Sequence, residues 1–151
     1  MRWDKMLSPS LEDYLEEMYR FSEQLGYIRI TDVACKLDVS LPSVNKAVNI
    51  LSEEGYLEYI PYKNIELTKK GKETGRFLVE RNKTLQEFLE VIGSDCDYEE
   101  EAEAIEHYLS DETVKAMTRV VSFFRERPKI HDNLIEYQKR KKKNNNKENF
   151  D

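Results

Sequence analysis

The sequence lacks the usual marks of a secreted, membrane-bound or catalytic protein. Its 151 residues include only two cysteines, Cys35 and Cys96. Their spacing suits neither a metal knuckle nor a disulfide scaffold, so a reducing, cytoplasmic setting is expected. Five glycines and four prolines are too few for a collagenous or loop-dominated chain. Apolar runs stop after a few residues, as in Phe77-Leu78-Val79, against the roughly 20 that a bilayer-spanning helix needs. No membrane partner is expected. Met1-Arg2-Trp3-Asp4-Lys5 leads into no apolar stretch, so no secretory signal is expected either. No HExxH, phosphate loop or nucleophile–base pair occurs, which leaves catalysis without a foothold and gives no reason to expect a protein substrate.

Charge of one sign is missing from two stretches. Between Thr84 and Glu112 there is no Lys or Arg, while Glu87, Glu90, Asp95, Asp97, Glu99, Glu100, Glu101, Glu103, Glu106, Asp111 and Glu112 are acidic. Between Gln138 and Lys147 there is no acid, while Lys139, Arg140, Lys141, Lys142, Lys143 and Lys147 are basic. The formal net charge of −6 is therefore a poor guide to partners, because the excess acid sits in one segment.

What is present is mainly helical periodicity. Leu11, Leu15, Met18, Ser22 and Leu25 keep helical spacing from Ser10 to about Leu25, and Gly26 is a stop. Tyr27-Ile28-Arg29-Ile30 is short and β-prone. Thr31 can cap a short helix over Asp32–Leu37. After the Asp38-Val39-Ser40 turn, Ser40 can cap a helix running to about Glu54, with Pro42 in its tolerant first turn and Val44, Ala47, Val48 and Leu51 on its apolar face. The period then changes. Leu57 and Tyr59 alternate with polar neighbours, Pro61-Tyr62-Lys63-Asn64 reads as a turn, and Ile65-Glu66-Leu67-Thr68 as a return strand. Three helices and a two-stranded ribbon make an N-terminal winged helix-turn-helix with a two-stranded wing.

The rest reads as all-helical. Leu78, Asn82, Leu85, Leu89 and Ile92 form one stripe, Tyr98, Ala102, Ile105 and Leu109 a second, and Val114, Met117, Val121 and Phe124 a third. A last helix can start near Ile130, ahead of a Lys/Asn-rich end whose composition favours disorder. The fold class is thus mainly α. The expected division is a winged helix-turn-helix domain over 1–72, a helical domain over 73–130, and a C-terminal helix with a basic tail over 131–151.

Two constellations carry chemistry. A recognition helix presents its N-terminal half to the major groove. Here that half carries Leu41, Pro42, Ser43, Asn45 and Lys46, with Asn49 one turn later, and Lys63 at the ribbon tip can touch the adjacent backbone. The second constellation is acidic. Glu103, Glu106 and His107 stand at i, i+3 and i+4, with Glu99 a turn earlier, while Asp13 and Glu16 share a side of the first helix. If the two helices pack side by side, these groups can converge on a metal. A mostly oxygen set with one imidazole suits Mn²⁺ or Fe²⁺. Structural roles are equally open: Asp13 in a capping box with Ser10, Glu16 paired with Arg20, Glu99 to Glu106 as a solvated face. Asn82 interrupts an apolar stripe, so its surroundings must be polar.

The chain resembles the metal-dependent repressors typified by the diphtheria toxin repressor, and more closely the short manganese transport regulators. The resemblance rests on Leu11-Glu12-Asp13-Tyr14-Leu15-Glu16, Ile30-Thr31-Asp32-Val33-Ala34, Ser40-Leu41-Pro42-Ser43-Val44-Asn45-Lys46, Glu54-Gly55-Tyr56-Leu57, Leu67-Thr68-Lys69-Lys70-Gly71-Lys72, Phe88-Leu89, Ile92-Gly93 and Glu103-Ala104-Ile105-Glu106-His107-Tyr108-Leu109-Ser110. It implies a homodimeric repressor that binds a double-stranded DNA operator under control of Mn²⁺ or Fe²⁺. It also implies metal ligands at Asp13, Glu16, Glu103, Glu106 and His107, between the two domains. The family pattern has a histidine where this chain has Asn82. The resemblance therefore implies one or two ions per subunit, with Glu99 and Asn82 as possible additional ligands. Dimerisation is expected along Leu85 to Ile92 and Val114 to Phe124. The competing reading is a winged-helix regulator without metal, sensing a small molecule or acting constitutively. A carboxylate-bridged di-iron enzyme is disfavoured, because the Leu57 to Thr68 ribbon breaks the four-helix plan it needs.

Overall fold

The computed structural model describes residues 7–59 and 64–148. Its elements are α1 (Pro9–Leu25), α2 (Ile30–Leu37), α3 (Leu41–Glu53), β1 (Leu57–Tyr59), β2 (Ile65–Leu67), α4 (Lys69–Val91), α5 (Tyr98–Ile105), a 3₁₀ turn (Glu106–Tyr108), α6 (Asp111–Glu126) and α7 (Pro128–Glu148). Two compact units, Met1–Glu80 and Arg81–Asp151, divide inside α4.

The first unit is built on helix caps and one apolar cluster. Ser8, rather than Ser10, caps α1: its Oγ accepts from Leu11 N at 3.3 Å, and Pro9 occupies the first turn. A Ser10–Asp13 capping box therefore has no helix start to serve. Gly26 closes α1 at φ 75°, a left-handed conformation that glycine adopts without steric cost. Helix α2 starts at Ile30, two residues before the expected Asp32, because the Arg29 carbonyl already accepts from Asp32 and Val33 N. Thr31 consequently lies inside the helix and does not cap it. Ser40 caps α3 as expected, accepting from Ser43 N at 3.3 Å.

The wing pairs Leu57 with Leu67, Glu58 with Glu66 and Tyr59 with Ile65, antiparallel. Ile28 adds an isolated bridge to Ile65, which is how the β-prone Tyr27–Ile30 stretch is used. Leu15, Met18, Val33, Val44, Val48, Leu51 and Leu57 lie at the centre of the buried cluster.

The start of α4 is fixed by contact rather than by periodicity. Thr68 Oγ1 accepts from Gly71 N at 3.0 Å and donates to Gly55 O at 2.7 Å, tying the new helix to the end of α3. A Cβ at Gly71 would stand 2.0 Å from Tyr56 O, so only glycine lets α4 approach the wing this closely.

The second unit is thinner. Its buried apolar residues are Leu85, Leu89 and Val91 of α4, Ala102 of α5, and Val114 and Val121 of α6. Helix α7 closes the end of α4: His131 Nε2 meets Val91 O at 2.8 Å and Gln138 Nε2 donates to Ile92 O at 2.7 Å. Lys142 pairs with Asp95. The His131 and Gln138 contacts satisfy carbonyls that a helix end leaves open. Together with the Lys142 pair they carry α7 through the Lys/Asn-rich tract to Glu148, so the composition-based expectation of disorder there gives way to helix.

Candidate metal centre and nucleic-acid interface

The α3 face forms as the sequence predicts. Val44, Ala47, Val48 and Leu51 are buried, and this leaves Leu41, Pro42, Ser43, Asn45, Lys46 and Asn49 exposed along one side. The exposed set opens at the helix N-terminus, where the Ser40 and Ser43 hydroxyls lie 2.8 Å apart. A surface of short hydrogen-bonding side chains with one reaching ammonium can meet base edges and phosphates together. Lys63 lies outside the described residues. Lys69, Lys70 and Lys72 are all exposed, and Lys70 donates to Glu54 O at 2.8 Å and lies over the Tyr56 ring.

The acidic residues fall into two environments. On α1, Glu12 and Glu16 are buried and Asp13 is half-buried. Glu16 Oε1 accepts from Arg20 Nη2 at 2.6 Å, so the helix-surface pair foreseen for it is present. Periodicity did not single out Glu12, although its burial is as deep as that of Glu16.

In the second unit the expected helical arc is broken. Glu103 lies on the last turn of α5 and is exposed, as is Glu99 on the first. Glu106 and His107 belong to the following 3₁₀ turn. The helix tightens there because Leu109 and Ser110 must be extended (ψ 135° and 155°) for Ser110 to cap α6. The tightening turns Glu106 inward, to 1% exposure, while His107 stays half-buried.

Glu106 is surrounded by polar groups of α4. Asn82 Nδ2 donates to Glu106 Oε2 at 3.1 Å, and Gln86 Nε2 donates to Asn82 Oδ1 at 2.7 Å. The carboxylate at one end fixes the direction of this relay, since an acceptor must face the amide nitrogen. Asn82 thus finds the polar surroundings its place in the stripe demanded. Arg81, which the sequence reading passed over, is buried beside it. Its Nε lies 3.9 Å from Glu106 Oε2 and its Nη2 lies 3.4 Å from His107 Nδ1. On the other side, His107 Nε2 is 3.9 Å from Glu106 Oε1. Two ligands at about 2.1 Å from one ion can be at most about 4.2 Å apart, so this oxygen and this nitrogen can share a cation. A buried carboxylate with an imidazole fits a divalent transition metal.

The remaining acids are less isolated than their sequence suggests. Glu87 meets Lys83 at 3.8 Å and Arg125 at 3.3 Å. Asp111 pairs with Lys115 and raises its pKa above the usual lysine value. Of the apolar residues expected to form a dimer surface, Leu85, Leu89, Val91, Val114 and Val121 are buried within the subunit, while Phe88, Ile92, Met117, Val120 and Phe124 are half-buried and Phe123 is exposed. Among the described residues of this unit, the exposed large apolar side chains are Tyr108 (81%) and, on α6 and α7, Phe123 (43%), Ile130 (44%) and Tyr137 (53%). Among the described residues, no helix is long and apolar enough to cross a membrane.

Comparison with known proteins agrees with this division of labour. Residues 6–65 match the family model "Iron dependent repressor, N-terminal DNA binding domain", and residues 68–134 match "Iron dependent repressor, metal binding and dimerisation domain". The chain is 39% identical over 136 residues to the HTH-type transcriptional regulator MntR of Shouchella clausii (strain KSM-K16), covering 89% of this chain and 95% of that one. It is 38% identical over 141 residues to MntR of Bacillus subtilis (strain 168), covering 93% and 99%. Among solved structures, the manganese regulator SloR aligns with a TM-score of 0.67 at 29% identity over 78% of this chain, which spans about half (55%) of SloR. With both of its domains matched, the chain belongs to the iron-dependent repressor family of metal-responsive, DNA-binding transcriptional regulators, which are not enzymes.

Proposed function

We propose that this chain is a cytoplasmic homodimeric repressor whose binding to a double-stranded operator is promoted by Mn²⁺ or Fe²⁺. The observation that carries the reading is the Glu106–His107 pair: a buried carboxylate and an imidazole in the part of the chain that matches a metal-binding domain model. Asp13, Glu16 and Glu103 complete the proposed ligand set, and Glu99, exposed on α5, is a further candidate. Asn82 serves better as an anchor than as a ligand, because its amide nitrogen faces Glu106 and its oxygen is held by Gln86. Pro42, Ser43, Asn45, Lys46 and Asn49 read the DNA, and Lys63 contacts its backbone.

Bound metal supplies positive charge that neutralises clustered carboxylates and narrows the range of conformations the chain samples. The residues do the rest. Glu106, held by Asn82, presents one oxygen in a fixed direction. His107 presents a nitrogen beside it. The α3 faces of a dimer then meet half-sites about one helical turn apart, or a multiple of that. The coupling required between ion and DNA is typically about 1–3 kcal/mol. The exposed Phe123, Ile130 and Tyr137 are the proposed dimer surface.

A second reading, a regulator that works without metal, draws on the same network, since Asn82 and Arg81 already attend to Glu106. The two are separated by selecting an operator from randomised duplexes with Mn²⁺ present, then measuring affinity with and without the ion at fixed salt. We expect operator binding at least about fivefold tighter with the ion. Equal affinities would establish the metal-independent reading.

A further inference from the structure

Arg81 is a buried charged group beside the proposed metal centre to which the proposed function assigns no role. It is 3% exposed, on α4, one residue before Asn82. Its guanidinium faces both candidate ligands, at 3.4 Å from His107 Nδ1 and 3.9 Å from Glu106 Oε2. We propose that Arg81 is a resident cation that opposes the metal at Glu106 and His107, and so sets the concentration of divalent ion at which the chain responds. This rests on the reading that those two residues hold the ion.

The argument is one of charge and of lone pairs. A guanidinium has donors only and keeps its proton at any physiological pH. An N–H directed at His107 Nδ1 engages that nitrogen's lone pair and leaves the proton of the neutral imidazole on Nε2. A metal taken up at Nε2 must therefore move that proton to Nδ1 and break the contact with Arg81. Glu106 is divided in the same way. Oε2 faces Asn82 Nδ2 and Arg81 Nε, while Oε1 faces His107 Nε2. One positive charge already stands against one carboxylate before any ion arrives. A divalent cation at Oε1 and Nε2 would share that carboxylate with the guanidinium and be repelled by it. Metal sites set their affinity largely through the net charge of the surrounding groups. A fixed cation at this distance therefore moves the response toward higher metal concentration. Its burial keeps the charge from being screened by salt.

The opposite role is also testable. If Arg81 merely orients Glu106 and His107, removing it loosens the site and weakens metal binding. The decisive experiment measures Mn²⁺ affinity of the full chain by the electron paramagnetic resonance signal of the free ion. It compares wild type with Arg81→Gln, Arg81→Met and Arg81→Lys, each checked for native helical content by circular dichroism. Both neutral variants are expected to bind Mn²⁺ at least about tenfold more tightly. Arg81→Lys, which keeps the charge, is expected to stay near wild type. A second readout is thermal: without Mn²⁺ the neutral variants melt below wild type, and their melting temperatures rise more on adding Mn²⁺. Unchanged or weaker Mn²⁺ binding in the neutral variants, or tighter binding in Arg81→Lys as well, would overturn the proposal and leave the metal centre standing. No saturable Mn²⁺ uptake by wild type would remove the metal centre itself, and the role of Arg81 with it.

Discussion

The two units differ in how much apolar surface they bury around their charged groups. The first encloses a continuous apolar cluster from Tyr14 to Leu78, drawn from α1, α2, α3, both strands and the start of α4. The second has a thin apolar core, a buried Arg81–Asn82–Glu106 network and exposed Phe123, Ile130 and Tyr137. Burying about 25 cal/mol per Å² of apolar surface is the main source of folding free energy. Charged groups taken out of water cost free energy unless they are paired. The first unit is thus organised for its own stability. Each unit buries charge, Glu12 and Glu16 in the first and Arg81 and Glu106 in the second, and each leaves large apolar side chains exposed. The second has fewer buried apolar residues around its charged groups, as expected of a unit completed by a second subunit and a ligand.

That contrast can be broken at three levels. The largest effect is expected from Leu15→Ala, which empties a fully buried site in the first cluster. It should cost about 2–5 kcal/mol in urea denaturation. A loss below about 1 kcal/mol would mean that the first unit is not the tightly packed one. Next, Phe123→Asp should weaken dimerisation by about 2 kcal/mol or more while leaving the helical content of the subunit intact. Sedimentation equilibrium reads this as a shift toward monomer, and an unchanged dimer constant would place the interface elsewhere. The smallest effect belongs to the cap of the DNA-facing helix. Ser40→Ala removes the acceptor for Ser43 N and should cost about 1 kcal/mol, seen as a small drop in melting temperature with metal binding unaltered.

The first unit was legible because each of its elements carries its own local signal. Gly26 and Ser40 stop and start helices, and the shift from a helical to an alternating period at Leu57 marks the wing. The reading slipped at the start of α1, where Ser8 and not Ser10 is the cap. It slipped again at α2, where Arg29 opened the helix through its backbone carbonyl alone, which no side-chain signal announces. The second unit was legible only in outline. Glu106 and His107 were singled out, yet their inward turn depends on a 3₁₀ tightening imposed by Ser110 capping the next helix, two elements acting on each other. Asn82 pointed to a polar interior, and Arg81, three residues after Leu78 and four before Leu85, shares that face, although an arginine so placed can equally extend its charged end to solvent. The helix through the Lys/Asn tract was invisible because His131, Gln138 and Lys142 secure it to residues some forty positions earlier.

The account turns on Glu106 and His107 as the core of a divalent-metal centre. Calorimetric titration of the full chain with Mn²⁺ tests this most directly, comparing wild type with Glu106→Gln and His107→Ala. The account expects saturable binding at one or two ions per subunit in wild type, and at least about tenfold weaker binding in each variant. Binding of equal strength and stoichiometry in all three proteins would contradict it.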